Sequence, residues 1–63
     1  MKLHENLVRI LGKKGVTQRE LAKAVGVTEM YMSYIVNGFK FPSLAVTVQM
    51  ADYLGVTLDE LVR

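Results

Sequence analysis

KAVGVTEMYMS, residues Lys23 to Ser33, breaks a helical pattern at Gly26 and restarts it at Thr28. Upstream, Leu21 and Val25 fall on one side of a helix and Ala22 is small enough to let a second helix cross close by. Downstream, Met32 and Ile35 lie on the inner side of the next helix, and Val27 fills the turn between the two. Glycine accepts the left-handed backbone that ends a helix, and threonine is a strong N-cap, so the turn has a stop and a start. Two helices joined by about three residues with a glycine in the turn form a helix-turn-helix unit and meet at a steep angle. At about 100° per residue, Glu29, Met30, Ser33, Tyr34 and Asn37 share one outward arc of the second of them.

The flanking sequence predicts helices only. Leu3, Leu7, Ile10 and Leu11 recur at helical spacing opposite Lys2, Glu5, Arg9 and Lys13, giving an amphipathic helix over 2–14 that stops at Gly15. Thr17 and Glu20 make a capping box at the start of the next helix. Gly38 closes the third helix, and Pro42 bars helical backbone at Phe41 before Ser43 caps a fourth. Leu44, Val48, Ala51 and Leu54 read as its buried stripe, with Val46, Met50 and Tyr53 as an apolar side stripe. Gly55 stops it, and Thr57 with Glu60 repeats the capping box ahead of a short fifth helix carrying Leu58, Leu61 and Val62. The expected architecture is one compact, five-helix, all-α domain over residues 1–63, since no valine falls in an alternating run bounded by turns.

Composition narrows the functional classes. A chain of 63 residues hides only about 60% of its unfolded surface, so a second subunit would add stability. It has no cysteine for a disulfide or thiolate metal site, and His4 is its lone histidine. Thr17, Thr28, Ser43 and Thr57 are explained as helix caps, so no residue is assigned to catalysis or metal binding, and no cofactor or small-molecule ligand is expected. No apolar run approaches the roughly 20 residues of a membrane span, and the expected location is the cytoplasm. The net charge of +2 is divided unevenly. Seven basic and three acidic residues fall in 1–42, against one and three in 43–63, so the N-terminal two thirds is the candidate polyanion surface.

From Leu7 to Val62 the sequence resembles the Cro/CI-type helix-turn-helix family, the phage-repressor-like and xenobiotic-response-element transcriptional regulators. The residues that carry the likeness are VTQRELAKAVGV, YMSYIVNG and PSLAVTVQMADYLGVTLDELV, with Gln18, Ala22, Gly26, Asn37, Gly38 and Pro42 among them. The resemblance implies a lambda-repressor-like fold that binds double-stranded DNA and sets its third helix, about 28–37, in the major groove. It implies base reading by Glu29, Met30, Ser33 and Tyr34, and phosphate contacts from Gln18, Tyr31, and the turn from Asn37 to Lys40. Arg19 and Lys23, four apart on the exposed face of the second helix, repel each other unless a phosphate lies nearby, which adds them to the same set. Lys13 and Lys14 are expected to flank that surface. Val46, Tyr53, Leu58, Leu61 and Val62 are the expected homodimer surface.

The sequence departs from the family pattern in two places. The reading face lacks the arginine or glutamine common there, and Glu29, Met30 and Tyr34 would also suit a protein groove, so a protein-interaction module on the same fold is the alternative. In addition, Leu11 and Val36 stand where relatives carry an arginine and a glutamate in a partly buried ion pair. Two apolar residues there remove the pair without stranding a charge, which predicts that they meet in the core.

Overall fold

Capping side chains start four of the helices of this protein, whose computed structural model describes residues 2–63. They are α1 (Leu3–Lys14), α2 (Gln18–Val25), α3 (Glu29–Val36), α4 (Leu44–Leu54) and α5 (Leu58–Val62). The Thr17, Thr28, Ser43 and Thr57 hydroxyls accept the amides of Glu20, Tyr31, Val46 and Glu60. Glu20 and Glu60 return the bond to the Thr17 and Thr57 amides, completing both capping boxes. Only α1 begins without a capping side chain, at Leu3.

The helix ends share one device. Val16, Val27 and Val56 each donate an amide, at 3.0 Å, to a carbonyl five residues back, just after Gly15, Gly26 and Gly55. All three valines pack against the core, the apolar contact that usually accompanies this motif. At the end of α3, Gly38 takes φ +81° and Phe39 closes the equivalent bond, to the Tyr34 carbonyl at 2.8 Å. Phe39, however, is 78% exposed. Its ring is the apolar residue of a helix stop turned outward instead of inward.

The core joins all five helices. Leu7, Leu21, Met32, Ile35, Met50 and Leu61 are its largest fully buried side chains. Leu11 is buried in this cluster, and Val36 packs half-buried against it, so both positions of the missing ion pair are apolar and border the same core. Asn6 ties α1 to α5 by donating its side-chain amide to the Leu61 carbonyl at 3.0 Å. No helix among the described residues is long and apolar enough to cross a membrane.

Two expectations about the C-terminal half need correction. The buried stripe of α4 is Thr47, Met50, Ala51 and Leu54, while Leu44 is 71% exposed and Val48 is exposed as well. The helix is apolar on nearly every side, so periodicity could not fix its rotation, and Thr47 is buried without cost because its hydroxyl donates to the Ser43 carbonyl at 2.8 Å. Leu61 is fully buried in the monomer and presents no surface to a second subunit. Of the other residues expected at that contact, Tyr53 and Leu58 are exposed, and Val46 and Val62 are half-buried.

Candidate nucleic-acid interface

The turn after α2 aims α3 so that Met32 and Ile35 enter the core and Glu29, Met30 and Tyr34 stand outside. Ser33, between them in direction, is half-buried. The predicted outward arc is therefore present, and its side chains are organised by their neighbours. The Arg19 Nε of α2 donates to Glu29 Oε2 at 3.1 Å, an ion pair across the helix-turn-helix with both partners largely in solvent. Lys40, in the loop after α3, holds its ammonium 5.7 Å from the Tyr34 ring centroid and 6.0 Å from that of Tyr31, within cation–π range of both. Asn37, the C-cap of α3, donates its side-chain amide to the Ser33 carbonyl at 2.8 Å and to the Ser33 hydroxyl at 3.3 Å.

Around this arc lie the expected phosphate contacts. Gln18 is the first residue of α2 and half-buried, Tyr31 is half-buried against the core, and Arg19, Lys23 and Asn37 are exposed. Arg19, Lys23 and Glu29 line one shallow hollow between α2 and α3, so Glu29 offsets the repulsion between the two cations. Lys13 and Lys14 lie elsewhere, in a hollow lined also by Gly55, Val56 and Glu60. They flank the acidic end of the chain because α1 runs its last turn beside the start of α5.

A helix-turn-helix domain model matches residues 6–63. The chain belongs to the helix-turn-helix family. An HTH-type transcriptional regulator of Bacillus subtilis, YazB, is 40% identical over 48 residues, which span 76% of this chain and 70% of that protein. Another, y4dJ of Sinorhizobium fredii, is 33% identical over 57 residues, spanning 90% of this chain and 74% of that protein. These matches agree with the Cro/CI-type resemblance carried by the motifs around Gln18, Gly26 and Asn37.

Within this helix-turn-helix chain, two features escaped the sequence. The Arg19–Glu29 pair joins residues ten apart, and its one available signal was that both stand at the opening turns of adjacent helices, where a crossing brings them together. The second is the exposed run Phe39, Phe41 and Leu44 around Lys40 and Pro42. The FKF triplet was legible as a loop, but nothing in its spacing told that neither ring would enter the core.

Proposed function

We propose that the chain is a sequence-specific transcriptional regulator that binds double-stranded DNA by setting α3 in the major groove, most simply a repressor that occupies a promoter. The observation that carries this reading is the bracketing of the exposed arc of α3 by two cations held in place by its own side chains. Arg19 is held by Glu29, and Lys40 by Tyr31 and Tyr34. Cations at both ends of a groove-reading helix meet the phosphates on either side and fix the helix in register, while the arc between them faces the bases. Gln18 at the start of α2 adds an amide near a helix N-terminus, a natural phosphate contact. No catalytic step belongs to this reading.

The chain acts as a homodimer in the same proposal. A groove of about 260 Å³ is lined by Phe41, Pro42, Leu44, Thr47, Leu58 and Val62, none of them charged. A second copy can bury this face against its own without like charges meeting, and a two-fold pair would present two α3 helices to grooves roughly 34 Å apart. Selection of duplexes from a random pool at about 0.15 M salt tests both parts, because nonspecific attraction is weakened there. A recovered two-fold symmetric site supports them. Absence of enrichment, with binding that vanishes as salt rises, rejects the sequence-specific reading and favours a protein partner on the exposed Glu29, Met30 and Tyr34 face.

A further inference from the structure

Four side chains of α3, Glu29, Met30, Tyr34 and the half-buried Ser33, lie along its outer arc, and three of them are engaged within the protein. Glu29 accepts from Arg19 at 3.1 Å, the Ser33 hydroxyl accepts from Asn37 at 3.3 Å, and the Tyr34 ring lies beside the Lys40 ammonium at 5.7 Å. Met30 is the exception. It is 67% exposed in the first turn of α3, and it contributes nothing to the core that Met32 and Met50 help fill. A methionine spent in this way places a flexible, polarizable, apolar side chain at the point of the domain that leads into the groove.

An apolar side chain cannot use the donor and acceptor pattern of base edges. The one apolar feature that the major groove offers is the C5-methyl group of thymine, which lies at the position that cytosine leaves bare. We propose that base discrimination by α3 is directed chiefly at thymine methyl groups through Met30, an inference that rests on the DNA-binding reading above. Glu29 then acts as a positioning residue. Its carboxylate holds Arg19 by Nε and leaves both terminal nitrogens of the guanidinium for phosphate, and the pair brings no net charge to the groove. The hydrogen-bonding code that arginine or glutamine would read at these positions is largely unused.

The test takes the duplex recovered by selection and replaces each thymine in turn by uracil, which removes the methyl group and leaves the pairing intact. The expected result is a loss of about three- to five-fold in wild-type affinity at one or two positions of each half-site, the worth of one buried methyl. Met30→Ala, which a thermal melt should show folded because the side chain is exposed, should bind more weakly and no longer distinguish thymine from uracil at those positions. Glu29→Gln should recover the same consensus in a repeated selection. Uracil tolerated everywhere by the wild type, continued discrimination by Met30→Ala, or a changed base preference in Glu29→Gln each overturns the inference while leaving DNA binding standing. If no duplex is enriched, the DNA-binding reading itself fails and the methyl readout falls with it.

Discussion

Arg19 and Glu29 face each other at 3.1 Å across the two helices of the helix-turn-helix, one at the opening turn of each. With both side chains largely in solvent, the pair adds only about 0.2–1 kcal/mol to stability. Its consequence lies in placement: a guanidinium is kept beside the N-terminal end of α3. Arg19→Ala should therefore leave the melting temperature almost unchanged, weaken DNA binding by a similar factor on every sequence, and lower the slope of log affinity against log salt by about 1. A salt titration of wild type and variant on two unrelated duplexes measures this, and a loss confined to one sequence would mean that Arg19 reads bases.

Gly38 tests the stop of α3. Its φ of +81° is a conformation that L side chains resist, and an added Cβ would sit 3.0 Å from the His4 ring. Gly38→Ala should cost about 1–2 kcal/mol in chemical denaturation, the usual left-handed penalty. His4 is exposed and can swing aside, so adding His4→Ala should recover only a minor part. Full recovery would show that the ring contact, and not the backbone, sets the cost.

Leu11→Arg places a charge at a buried position in an apolar cluster. A loss of about 3–5 kcal/mol is expected, enough to unfold much of a chain this size, whose whole stability is of order 3–9 kcal/mol. Adding Val36→Glu should restore part of the loss by giving the guanidinium an ion-pair partner on α3. A thermal melt in which Leu11→Arg keeps the wild-type midpoint contradicts the packing described for α1 against α3.

Acid should loosen α5 first. Glu60 has its carboxyl held below its ordinary value of 4.5, chiefly by the Thr57 amide, then by the Thr57 hydroxyl, and weakly by Lys14 and Lys13. Because the folded value is the lower one, the box contributes fully above the carboxyl's unfolded pKa, and its contribution is lost as pH falls through the folded value. Amide exchange at Leu61 and Val62 should quicken over that window ahead of the α2 and α3 amides, and Glu60→Gln should flatten the effect. Uniform acceleration through the chain would assign the acid response to global unfolding.

Helix ends were legible in the sequence because they rest on local chemistry: Thr17 with Glu20, Thr57 with Glu60, and glycines after α1, α2 and α4 act within a few residues of each other. The inner and outer faces of α3 were legible for the same reason, since Met32 and Ile35 leave one consistent rotation. The rotation of α4 was not. Leu44, Val46, Val48 and Met50 offer apolar residues on every side, and Thr47 can take the buried side because its hydroxyl finds its partner one turn back. The burial of Leu61 depends on α1, which meets α5 across the length of the chain through Asn6. Contacts of this kind depend on two separated elements arriving together, as with Arg19 and Glu29, and no local pattern encodes them.

In the proposed complex α3, bracketed by Arg19 and Lys40, is the helix that meets DNA. Backbone amide shifts followed while the selected duplex is added would locate that contact. The largest shifts should fall at Gln18 and Arg19, from Glu29 to Tyr34, and from Asn37 to Lys40. Shifts that spare α2 and α3 and gather around Val46, Tyr53 or the α1 lysines instead would contradict it.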